Sequence, residues 1–132
     1  MYFYQAYAHY PWKLLLKSGT EGVAISNYGR NLMKEMMLVY DGNQHRYAQI
    51  AGHGFRILAE AMEKDLPYEI KCLSMLICGT KDHAGSCIRY NREWHRKMEI
   101  PLKWIEGAGH NSNTDKLEMI NSLLEEFFSN IL

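Results

Sequence analysis

Leu73-Ser74-Met75-Leu76-Ile77-Cys78-Gly79-Thr80-Lys81-Asp82-His83 is the stretch on which the fold turns. Its first six residues form a near-continuous apolar run, and Gly79-Thr80 follows at once. Such a run suits a strand buried on both faces, as in a parallel sheet. Working outward, Ser86 can cap a helix that places Cys87, Tyr90, Trp94 and Met98 on one face. Pro101 breaks the chain, and Leu102-Lys103-Trp104-Ile105 is a second strand candidate. A last helix is expected from about Asp115, with Glu118 as its capping-box partner. Its apolar stripe comprises Leu117, Ile120, Leu123, Leu124, Phe127, Phe128 and Ile131. The order strand–helix–strand–helix predicts a parallel crossover unit.

Upstream the texture is helical. Met33, Met36, Met37 and Tyr40 repeat at helical spacing, and Asp41-Gly42-Asn43 signals a turn. Tyr47, Ile50, Ala51, Phe55, Leu58, Ala61 and Met62 predict a longer helix from about Gln44 to Lys64, weakened by Gly52 and Gly54 and ended by Pro67. Residues 1–19 are aromatic-rich, with Tyr2, Phe3, Tyr4, Tyr7, Tyr10 and Trp12, and show no clear period. A short helix from Pro11 to Lys17 is expected there. The boundary between the helical half and the strand-bearing half falls near Leu66–Lys71. Two strands alone do not make a stable parallel sheet, so the pattern implies that neighbouring strands come from further chain or from partner molecules.

Composition narrows the function classes. The chain has 132 residues, of which 47% are hydrophobic and 23% charged, enough for a core. Fifteen basic and fifteen acidic residues cancel, without a block of like charge. No nucleic-acid footprint and no anionic-membrane patch is expected. Cys72, Cys78 and Cys87 are odd in number and form no CxxC, which fits a reducing compartment better than a disulfide scaffold. The N-terminus lacks the basic region of a signal peptide, and no apolar run approaches the roughly 20 residues of a membrane helix. The expectation is a soluble, cytoplasmic protein with no membrane partner.

In open α/β sheets ligands bind beyond the carboxyl ends of the strands. Two segments lie there: Gly79-Thr80-Lys81-Asp82-His83 and Glu106-Gly107-Ala108-Gly109-His110-Asn111. The crossover is expected to set them side by side. Asp82 would then accept a hydrogen bond from one ring nitrogen of His110, fixing its tautomer and leaving the other nitrogen to take a proton. Taken singly, Asp82 also reads as a turn residue and His110 as an ordinary loop histidine.

These residues carry a resemblance. Leu-Ile-Cys-Gly-Thr-Lys-Asp (76–82) resembles the acid-bearing strand end of α/β-hydrolases, and Glu-Gly-Ala-Gly-His-Asn (106–111) resembles that family's catalytic-histidine loop. Asp115 to Leu132 is similar to its closing helix. The resemblance implies fold class α/β, namely the C-terminal portion of an α/β-hydrolase fold. Residues 1–69 would be a helical cap-like region and residues 70–132 the C-terminal part of the core. It implies Asp82 as triad acid and His110 as base. The activity implied is hydrolysis of an ester, thioester, amide or related small molecule through an acyl intermediate on serine, with the cap choosing the substrate. It calls for no cofactor and no metal.

The chain departs from the family at the nucleophile. None of Ser18, Ser26, Ser74, Ser86, Ser112, Ser122 and Ser129 lies in a Gly-x-Ser-x-Gly elbow, and Gly52-His53-Gly54 falls within a helical pattern. The resemblance therefore implies a hydrolase fragment, inactive alone, whose nucleophile, first strands and oxyanion loop belong before Met1. The alternative is a non-catalytic binding or assembly module that associates through an exposed strand edge, as a homo-oligomer or with a complementing chain.

Other constellations are weaker. Cys78, His83 and Cys87 match no common zinc spacing. Met33, Met36, Met37 and Met62 could line an apolar pocket or fill a core. His9, His45, His53 and His95 are expected as surface or helix residues, and His83 as a bystander.

Overall fold

The structure is a computed structural model that describes residues 2–64 and 69–130; of residues 2–5 it describes the backbone alone. The expected helix stop at Pro67, the Leu66 end of the boundary, and Ile131 of the last stripe lie outside the described residues.

Four helices come first: α1 (Tyr2–His9), α2 (Trp12–Glu21), α3 (Asn27–Leu38) and α4 (Gln44–Glu63). Pro11 precedes α2, which continues beyond the expected Lys17. Ser26 caps α3 by accepting from the Gly29 amide, and Asn43 caps α4 by accepting from the Arg46 amide. The 41–43 turn places Gly42 at φ 74°, a left-handed conformation. Helix α1 packs along α4, joined by the Gln44 side-chain amide, which donates to the carbonyls of Tyr7 and Tyr10 at 2.6 and 2.5 Å. Rings gather at the same place: Tyr47 meets Tyr7, Trp12 and Tyr40 edge-on with centroids 5.6–6.0 Å apart. These geometries suit the aromatic quadrupole. Burial pushes the Tyr47 hydroxyl up, and the Tyr7 and Tyr40 phenols add to that shift.

Then come β1 (Leu76–Gly79), α5 (Cys87–Met98), β2 (Leu102–Ile105), α6 (Ser112–Asp115) and α7 (Leu117–Ser129). Strands β1 and β2 pair in parallel, with Leu76 opposite Leu102 and Gly79 opposite Ile105. Helix α5 packs on both. Ile105, Ala108 and Ile120 form a small buried cluster, with Ile77 and Leu123 against it.

The fold class expected from the sequence, an α/β C-terminal portion of an α/β-hydrolase fold, is overturned. The chain is mostly helical, and among the described residues its sheet is one two-stranded parallel pair. The physical reason lies in the apolar run itself. Leu73, Ser74 and Met75 do not join the ladder, and Leu73 is exposed. Each strand is left with four residues. A sheet this small cannot form the layer that helices cover on both faces in α/β folds. The upstream helices pack largely on one another, α1 with α4 and α2 with α3.

Finer expectations also shift. Tyr90 points to solvent, and Ser86 makes no side-chain cap bond to α5. The α7 stripe is only partly covered: Ile120 is buried, whereas Leu117, Leu124 and Phe128 are exposed. Asp115 does not cap α7, which begins at Leu117 with Lys116 in the cap position. No helix of the described residues is long and apolar enough to cross a membrane.

Candidate active site

The two loops beyond the strand ends meet. The Thr80 amide donates to the Ile105 carbonyl (3.0 Å), the Lys81 amide to the Ala108 carbonyl (2.9 Å), and the Gly107 amide to Thr80 Oγ1 (2.9 Å). Gly107 turns the chain at φ 74°. Gly79 lets the backbones touch, because a β-carbon there would overlap the carbonyl oxygens of Ala108 and Gly109.

This framework places Asp82 and His110, 28 residues apart in sequence, in contact: His110 Nδ1 lies 3.0 Å from Asp82 Oδ2. A carboxylate only accepts, so the bridging proton sits on Nδ1 and the Nε2 lone pair is left free. The Asp82 side chain is 5% exposed and that of His110 is 43% exposed. The acid is thus at the back and the imidazole at the mouth. Asp82 Oδ1 is fixed separately by the Ala84 amide at 2.8 Å. A shielded carboxylate held from behind orients an imidazole that solvent and small molecules can reach, which is the geometry of general acid–base chemistry.

Two residues here have partners that the sequence did not reveal. The first is Asp115. Its carboxylate accepts from the amides of Ile25 (2.9 and 3.0 Å), Ser26 (2.8 Å) and Gly109 (2.8 Å). The Asn111 amide donates to the Val23 carbonyl at 2.8 Å beside it. The histidine loop is therefore tied to the α2–α3 connection on either side of His110. Burial pushes the Asp115 carboxyl up, but the Ser26, Gly109 and Ile25 donors outweigh it and hold the group below its ordinary value of 3.8. Its sequence position suggested a helix cap, and no local signal marks a partner 90 residues away.

The second is Cys87, in the first turn of α5. Its thiol sulfur, a carboxylate oxygen of Asp82 and a ring nitrogen of His110 all lie within 4.8 Å of one another. Burial pushes the Cys87 thiol up, and the Asp82 carboxylate pushes the same way against its own backbone donor. Both causes disfavour the thiolate, which is the nucleophilic form.

The remaining sequence candidates do not converge on the pair. Of Cys78, His83 and Cys87, only Cys87 joins a potential ligand group among the described residues. Cys78 is buried in β1, and His83 is exposed. His9, His45, His53 and His95 are exposed as expected. Met37 is core, whereas Met36 and Met62 face solvent. A shallow depression on α7 lined by Asn121, Leu124, Glu125, Phe128 and Ser129 shares no residue with the pair.

Comparison of the chain with models of known families, with curated proteins and with solved structures finds no match in any of the three.

Proposed function

We propose that Asp82 and His110 are the acid–base half of a hydrolytic centre acting on esters, thioesters, amides or related small molecules, of which this chain lacks the nucleophile. What supports the reading is the 3.0 Å contact between a nearly buried carboxylate and a half-open imidazole. The likeness of residues 76–82 and 106–111 to the acid and histidine loops of α/β-hydrolases points the same way. It concerns the loops, not the fold. In this centre Asp82 holds the imidazole and stabilises its cation, and His110 Nε2 accepts and returns the proton. A serine outside this chain would supply the attack, so a complementing chain completes the site.

The test uses the purified chain, a serine-directed fluorophosphonate and an activated ester such as p-nitrophenyl acetate. No stoichiometric labelling is expected, because no serine lies in an elbow. Slow ester hydrolysis through His110 is expected, falling with His110→Ala and Asp82→Asn to the level of the surface histidines. General acid–base groups typically contribute about 100-fold or more in complete sites, so a remnant shows a smaller effect. Stoichiometric labelling, or an ester rate unmoved by His110→Ala, would overturn the proposal.

A second reading, a non-catalytic module that assembles with another copy, is favoured by one observation: among the described residues each strand of the two-stranded sheet pairs on one side only. Open strand edges recruit further strands. Solution mass tests it.

A further inference from the structure

We propose that Asp82, Cys87 and His110 together bind a zinc-type divalent cation. The inference uses two side chains of the acid–base pair but does not rest on the hydrolytic reading. It starts from the residue which that reading leaves unused. An Asp–His pair needs no thiol, yet Cys87 brings its sulfur within 4.8 Å of both partners.

The three side chains come from three separate segments: the turn after β1, the first turn of α5 and the loop after β2. Carboxylate oxygen, thiolate sulfur and imidazole nitrogen are the donors that zinc takes, at about 2.0–2.3 Å each. Three protein ligands with water in the fourth position is a recognised zinc arrangement. Ligand atoms around such an ion stand roughly 3.3–3.8 Å apart, from those bond lengths and a tetrahedral angle. The Asp82–His110 contact at 3.0 Å opens slightly to admit the ion, and Cys87 closes by side-chain rotation. On binding, the Cys87 thiol proton passes to solvent, the His110 ring proton moves from Nδ1 to Nε2 by exchange with water, and the hydrogen bond is replaced by two metal bonds.

The surroundings suit this exchange. The Ala84 amide holds Asp82 Oδ1 and leaves Oδ2 turned to His110, an outer contact of the kind that orients metal ligands. The loops are fixed to each other by the Lys81 and Gly107 amides and to the rest of the chain by Asp115. The half-exposed His110 provides the route of entry.

The full chain, stripped with a chelator and kept reduced, is titrated with CoCl₂ while thiolate-to-cobalt charge-transfer absorption is followed, then with ZnCl₂ to displace the cobalt. One cobalt per chain and a band that zinc removes are expected. Cys87→Ser abolishes the band, Asp82→Asn and His110→Ala weaken binding by at least about tenfold, and Cys72→Ser changes nothing. Absence of a band in the unmodified chain, or a band that survives Cys87→Ser or needs Cys72, overturns the proposal. Zinc-induced amide shifts in the unmodified chain give a readout independent of variant folding. Shifts centred on Asp82, Cys87 and His110 support the site, and shifts centred on the other histidines overturn it.

Discussion

Asp115 holds the histidine loop through charge-assisted hydrogen bonds to three backbone amides. Asp115→Asn keeps the shape but turns an NH₂ group toward those donors. The substitution is expected to cost about 2 kcal/mol, the scale of hydrogen bonds to a charged group, read as a lower denaturant midpoint. The pH dependence follows from linkage. The folded-state value of Asp115 lies below the unfolded one, so its stabilisation is present above the ordinary 3.8 and is lost as pH falls through the folded value. The gap between wild type and Asp115→Asn should therefore close in strong acid. A gap of equal size at neutral and acid pH would contradict the assignment. Asp82 and His110 were visible in the sequence because each follows an apolar segment at a place where a strand ends. Cys87 was legible only alongside Cys78 and His83, and Asp115 only as a helix start, because their actual partners come from segments distant along the chain.

Among the elements, the β1–α5–β2 crossover positions the site, and its tightest point is Gly79. Gly79→Ala would press a methyl group into the Ala108 and Gly109 carbonyls, which belong to backbone and cannot rotate away. A loss of about 3 kcal/mol is expected by analogy with overpacked cores, together with loss of the His110–Asp82 hydrogen bond in imidazole nitrogen spectra. An alanine variant of wild-type stability would show that the loops have room to part. Helix α4 and strand β2 were legible because their periods are clear: Gln44–Glu63 matches the expected span closely, and Leu102–Ile105 matches fully. The run at 73–78 misled because apolar character reports burial without reporting how many strands share it. Leu76 and Cys78 are indeed buried, while Leu73 is not. The start of the last helix shifted because Asp115 has two uses for one carboxylate, and the long-range one prevails.

On the scale of the whole molecule, the small shared core contrasts with the apolar residues left outside it. Leu117, Leu124 and Phe128 of α7 and Ile50, Ile57 and Leu58 of α4 are exposed. With strand edges unpaired among the described residues as well, the chain is expected to self-associate, its mass by light scattering rising with concentration toward twice the monomer. A monomer at every concentration with one sharp unfolding transition would remove the assembly reading. The fold class was out of reach from sequence because local periodicity fixes the type of each element but not whether strands outnumber the helices that must cover them. One further consequence comes from the clasp of Asp115 on residues 25 and 26 and on Gly109. It joins the α2–α3 bend to the histidine loop through one carboxylate, so a substitution in the bend that breaks the clasp is expected to disturb the distant imidazole, read as a change in its ring-nitrogen spectrum.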